Sequence, residues 1–250
     1  MFRARFQRLY AEHMAPAILH LLSVLRGQGG KPAITWYGPG TERIELSAAV
    51  VDNWVVKVAG LLAEELNVGQ GTRVWLDLPT HWRTVVWALA AWRCGATVLT
   101  GSTPPGEVDV AVTDRPDEVG DVGERAELVV VTLDALARSY PGELPVGAID
   151  GASAALAYGD VLAWAPEPSE SLQLRAADGR EVPVIVTPSG SARVILQPAR
   201  RDDVSTILAD TAGVLAAGGS VVLLNGRRAR ALGLEGFEKL LRNEKIDEVQ

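Results

Sequence analysis

The chain has 250 residues, 48% hydrophobic and 22% charged, which is long enough for one large domain or two small ones packed together and too apolar for disorder. Its formal net charge of −7 argues against nucleic acid as a partner, because phosphate-binding surfaces carry a basic field. One cysteine, Cys94, excludes an intrachain disulfide framework, and three histidines (His13, His20 and His81) offer no cluster for a His/Cys metal site.

Residues 4–25 read as an amphipathic helix, with Phe6, Leu9, Tyr10, Met14, Ile18, Leu21, Leu22 and Leu25 on one stripe and Pro16 kinking or dividing it. Glu12, His13 and His20 break its apolar character, so it is not expected to be a signal peptide. No run approaches the roughly 20 apolar residues that span a bilayer, and the lone cysteine suits a reducing cytoplasm. Pro32–Tyr37, the turn Gly38-Pro39-Gly40 and Arg43–Leu46 predict a hairpin. Ser47 is placed to cap a long helix, 48–66.

Arg73–Leu78 predicts a buried strand. Thr80 is expected to cap the helix Trp82–Cys94, Gly95 to end it, and Thr97–Thr100 to begin the next strand. Val108–Thr113 and Leu128–Thr132 read as further strands, and this alternation predicts a parallel sheet flanked by helices. Prolines 141, 145, 166 and 168 mark a connector carrying a short helix near 152–163. The predicted organisation is a first α/β subdomain at 1–145, a connector at 146–180 and a second α/β subdomain at 181–250.

The second half repeats the first. Arg73-Val74-Trp75-Leu76, an Ala-rich helix and Gly95–Leu99 are matched by Arg193-Val194-Ile195-Leu196, a helix at 204–217 and Gly218–Leu224. Each copy reads as one right-handed βαβ unit. Chance similarity between two such units is the plainer alternative. A helix at 237–243 and a strand at Ile246–Val249 follow.

The order of these segments resembles the adenylate-forming enzymes, the superfamily of AMP-dependent acyl-CoA synthetases. Lys31-Pro32-Ala33-Ile34, then Ile44–Ser47 opening a long helix, then Asn67-Val68-Gly69-Gln70-Gly71-Thr72-Arg73-Val74 resemble that family's opening hairpin, helix and glycine turn. Trp87–Ala96 is similar to its "A-x-x-x-x-G-A" helix end, and Gly213–Val222 and Leu240–Val249 to elements of its second subdomain. The likeness covers about 30–115 and 193–250, and points to a short actinobacterial group similar only to the family's N-terminal half. It implies two similar α/β subdomains of mostly parallel sheet flanked by helices, sharing a cleft.

The resemblance also implies a phosphate loop, rich in Ser, Thr and Gly and ending in Pro-Lys, where N–H groups, hydroxyls and a lysine converge on a triphosphate. Its counterpart here is Val184–Arg193, in which Thr187, Ser189, Gly190, Ser191 and Arg193 form a candidate remnant. Pro188 removes a donor, the loop is short and no lysine follows. An ordinary turn between strands is the competing reading. The family's adenylate motif, ribose-binding Asp and catalytic Lys would fall past residue 250. No catalytic residue or cofactor is therefore expected, with ATP or AMP the less favoured alternative, and no metal is expected for want of a ligand cluster.

Other features are read more plainly. His81 beside Trp82 suits a pocket wall or, more simply, the polar start of a helix. Trp82, Trp87 and Trp92 spread around their helix, so at least one is expected exposed at an interface or pocket rim, with core packing the plainer role for most. Arg200, Arg201, Arg227, Arg228 and Arg230 form the basic concentration, read as a solvated face. The expected function is a non-catalytic binding or interaction module. The alternatives are a reduced enzyme that still binds a nucleotide or acyl group in the cleft, and a subunit completed by another polypeptide. A homodimer or protein partner is expected near 220–250.

Overall fold

The computed structural model describes residues 17–103, 106–120, 122–123, 125–134, 137–185, 191–197 and 204–249. The chain runs α1 (Ala17–Gln28), β1 (Pro32–Tyr37), β2 (Arg43–Ser47), α2 (Ala48–Glu64), β3 (Arg73–Asp77), α3 (Trp82–Arg93), β4 (Thr97–Thr100), β5 (Val110–Thr113) and β6 (Glu127–Val130). It continues through β7 (Ile149–Asp150), α4 (Gly151–Leu156), β8 (Leu174–Arg175), β9 (Arg193–Leu196), α5 (Val204–Ala216), β10 (Ser220–Leu224), α6 (Gly226–Glu244) and β11 (Glu248–Val249). The part of the predicted first helix before residue 17, with Pro16, lies outside the described residues.

Two sheets form. One has the order β7-β6-β5-β3-β4-β8 and is parallel throughout; the other has the order β11-β9-β10-β1-β2 and is parallel except for the β1–β2 hairpin. The α/β class and the helix-flanked parallel sheets are thus as expected. The chain does not divide between the sheets at 146–180, however. The hairpin 32–47 joins the sheet of the second half, where Ile34 to Tyr37 pair with Val221 to Leu224. Leu174-Arg175 of the expected connector joins the first sheet beside Val98 and Leu99. Backbone pairing across long sequence separations decides this, and local pattern does not report it.

The repeated segments do build equivalent units: Arg73 pairs with Thr97 in β3-α3-β4, and Arg193 with Ser220 in β9-α5-β10. Between the two sheets lies a layer of helices, in which α3 and α5 each touch strands of both sheets. This position corrects the tryptophan reading. Trp82, Trp87 and Trp92 are 3%, 3% and 2% exposed, because α3 is enclosed on all sides, its polar Arg83 and Thr84 included. Each full burial of a large apolar side chain such as Leu89 on this helix contributes roughly 1.5–3 kcal/mol. Cys94, at the end of α3, is fully buried, and burial pushes its thiol up to about 12, the opposite of the shift that activates a thiolate.

The helix starts show how the sequence sets local structure. Ser47 Oγ accepts from Val50 N at 3.3 Å and caps α2. For α3 the cap is His81, whose Nδ1 accepts from Arg83 N at 3.0 Å, and not Thr80. Gly233, with φ 61°, divides α6 into two helical stretches, of which residues 237–243 lie in the second.

Candidate functional site

Of the predicted phosphate-loop residues, Thr187, Ser189 and Gly190 lie outside the described residues, as do Arg200 and Arg201 of the basic concentration. Ser191 and Arg193 stand at the N-terminal end of β9, where they line a groove of ≈560 Å3 with Lys31, Arg43, Glu45 and Ser220. Arg227 and Arg230 sit exposed at the start of α6, at the opposite, carboxyl end of the same sheet.

The groove owes its charge to strand alternation. On β1, Ile34 and Trp36 face the buried helix layer, so Thr35 and Tyr37 face the other way; on β2, Ile44 and Leu46 pack inward while Arg43 and Glu45 face out. The end of α6 brings Glu244 over this polar face. Tyr37 Oη donates to Glu244 Oε1 at 2.5 Å, and Arg43 Nε donates to the same oxygen at 3.0 Å. Arg43 also reaches Glu45 Oε2 at 2.7 Å.

Arg193 is fully engaged in this cluster. Its Nε donates to the Glu244 carbonyl at 2.8 Å, one terminal nitrogen to Ser220 Oγ at 3.1 Å, and the other to Thr35 Oγ1 at 2.9 Å and to the Glu244 carboxylate. Its backbone N–H is taken by Asp247 at 2.7 Å. Burial alone would raise the Glu244 carboxyl, but hydrogen bonds from Arg43, Tyr37 and Arg193 outweigh it and hold the group down at about 2. The same bond to Glu244 raises Arg43, while burial, followed by the bond to Glu244, raises the Tyr37 phenol. The cluster is a closed ion-pair network tying β1, β2, β9, β10 and α6 together. Chemically it fixes geometry; it does not present a free cation at β9.

The alternation on β1 and β2 was visible as polar residues between apolar ones. The role of Glu244 was not, since nothing near it in sequence announces a partner 201 residues away at Arg43. His81 occupies the helix-start position expected of it. It is 1% exposed, and burial, with the Arg83 charge beside it, lowers its imidazole to about 3, so the ring is neutral. Among the described residues no group of three or more His, Cys, Asp or Glu could hold a metal, and no helix is long and apolar enough to cross a membrane.

No family model matches the chain. A TIGR03089 family protein of Mycobacterium tuberculosis (strain ATCC 25618 / H37Rv) is 36% identical over 160 residues, which span 62% of this chain and 65% of that protein. Among solved structures, an acyl-CoA synthetase of Brucella canis aligns with TM-score 0.68 and 18% identity over 94% of this chain. The amide bond synthetase McbA of Marinactinospora thermotolerans aligns with TM-score 0.61 and 19% identity, again over 94%. The N-terminal subdomain of NpsA from Klebsiella oxytoca, solved with 3-hydroxybenzoyl-AMSN, aligns with TM-score 0.64 and 9% identity over 96%. The chain spans 46% and 48% of the first two of these structures, about half their length. Sheet order, helix layer and coverage agree on one conclusion: this chain has the fold of the N-terminal half of the adenylate-forming enzymes.

Proposed function

We propose that this chain is a non-catalytic relative of the AMP-dependent acyl-CoA synthetases, using their scaffold as a binding or interaction module rather than to activate a carboxylate. The observation that supports this is the commitment of Arg193. Activation by ATP builds negative charge on the departing pyrophosphate, and catalysis needs cations and N–H donors already aimed at that charge. Arg193 is the one cation between residues 184 and 193, and its side-chain nitrogens are spent on Glu244, Ser220 and Thr35. Freeing it for a phosphate would break a network in which Glu244 is also held by Arg43 and Tyr37. A reducing cytoplasm suits the single buried thiol of Cys94.

The test is ATP–pyrophosphate exchange by the purified chain with a panel of aliphatic and aromatic carboxylic acids. No exchange above the protein-free rate is expected. Carboxylate-dependent exchange that is abolished by Ser189→Ala would overturn the proposal. Thermal shift with ATP, AMP and CoA addresses the reading of a retained ligand site, because a ligand that binds only the native state must raise its melting temperature.

A further inference from the structure

Arg83 stands in the first turn of α3 and is 5% exposed, yet no carboxylate pairs with it among the described residues, and burial alone lowers its guanidinium, to about 10. Among the described residues its side chain makes one hydrogen bond, from a terminal nitrogen to the Ala137 carbonyl at 3.2 Å. The guanidinium carbon lies 4.5 Å from the ring centre of Trp82 and 5.4 Å from that of Trp54. Arg83 Nε and Trp82 Nε1 are both buried without a hydrogen-bond partner. Both residues line the same crevice, whose other walls, apart from Trp54, are apolar: Val58, Val86, Trp87, Val131 and Ala155.

A buried charge without a counter-ion is among the costliest arrangements in a fold, and two indole faces offset only part of that cost. The start of α3 adds the positive end of a helix dipole, and the neighbouring His81 ring is neutral and offers no compensating charge. The space open to the centre of a water-sized particle is ≈10 Å3, about what one water occupies and too little for phosphate, sulfate or an acyl carboxylate. A water molecule would satisfy the N–H groups and leave the charge unbalanced. A small anion does both.

We propose that this crevice is a binding site for a monovalent anion of halide size, held by Arg83 Nε–H and the Trp82 indole N–H. The site is independent of the Arg193 network and of any activity toward nucleotides. It would pin α2, through Trp54, to the start of α3 and to α4 beneath Ala155.

The experiment titrates the full chain with sodium bromide against sodium gluconate at constant ionic strength, gluconate being too bulky to enter. Tryptophan emission and melting temperature are both read. Saturable quenching is expected, because bromide quenches on contact and three tryptophans line the crevice. Bromide should also raise the melting temperature over gluconate by about 2–4 °C. Trp82→Phe keeps the ring and the charge but removes one donor, and should raise the half-saturation concentration about tenfold. Arg83→Met should abolish saturation. Linear quenching with no difference in melting temperature between the two salts means the crevice holds water only, and overturns the proposal. So does an unchanged half-saturation concentration in Trp82→Phe, which remains decisive if Arg83→Met does not fold.

Discussion

Replacing Glu244 by Gln keeps the shape at the centre of the network and removes its buried negative charge. The carboxyl is 8% exposed and faces two guanidinium groups, 16% exposed at Arg193 and 40% at Arg43. Its pKa falls from an ordinary 4.5 to about 2 in the fold, and a shift of that size corresponds to about 3 kcal/mol at 1.36 kcal/mol per unit. Arg43 is wet enough that solvent screens part of this, which brings the expected loss at neutral pH to about 2 kcal/mol. With a urea slope of about 3 kcal/mol/M, the midpoint followed by far-ultraviolet circular dichroism should drop by about 0.7 M. The sign in pH follows from the lowered value: the wild-type advantage is complete above pH about 5 and disappears as pH falls from about 4.5 to about 2. A midpoint loss under about 0.2 M at pH 7, or a gap between the two proteins that persists unchanged at pH 2, would mean that the Glu244 charge does not hold these strands together.

Gly219→Ala would set a Cβ 2.5 Å from the Ala192 carbonyl oxygen and 2.8 Å from Val214 Cγ1; overpacking against backbone predicts a loss of about 1–3 kcal/mol, or a melting temperature lower by about 3–10 °C. The His81 ring, lowered to about 3, should show nitrogen chemical shifts of neutral imidazole from pH 8 down to pH 5, and a titration midpoint near 6.5 would place it in water. Because its value in the fold is below the ordinary one, His81 stabilises the native state less as pH falls below about 6.5. At the edge of its sheet β11 is exposed, with Val249 at 52%, and light scattering over a concentration range is expected to show a dimer whose β11 amides gain protection from exchange. A monomer at all concentrations with β11 already protected would remove that interaction surface.

The elements most plainly written in the sequence are those whose signals are local. The hairpin turn at 38–40, the Ser47 cap and the strand–helix–glycine–strand units fell where turn chemistry and periodicity put them. Ser191 and Arg193 of the candidate loop line one groove, while Thr187, Ser189 and Gly190 lie outside the described residues. The occupation of Arg193 was hidden, since Thr35, Ser220 and Glu244 reach it from three separate elements. The spread of Trp82, Trp87 and Trp92 around their helix misled because the helix is covered on every side, where even Arg83 is stacked against indoles and Thr84 Oγ1 donates to the Pro79 carbonyl at 2.6 Å. Such internal satisfaction of polar groups cannot be read from spacing. The short strands β7 and β8 lacked any signal, being two residues each.

The hairpin of residues 32–47 has a consequence for the order in which the molecule comes into being. The sheet that begins at β3 can be finished once residue 175 has been made, because its strands all lie between Arg73 and Arg175. The β1 strand must wait, since its parallel partner is β10, and Gln28 just before it donates to the Gly218 carbonyl across 190 residues. During synthesis at about 5–20 residues per second, β1 has its hairpin partner β2 at once but lacks its parallel partner β10 for roughly ten seconds or more. Over that interval one edge of β1 is an open strand edge, which is where a chaperone would be expected to hold the newborn chain. Only when β10 pairs with β1 on one side and β9 on the other is the hairpin joined to the rest of its sheet.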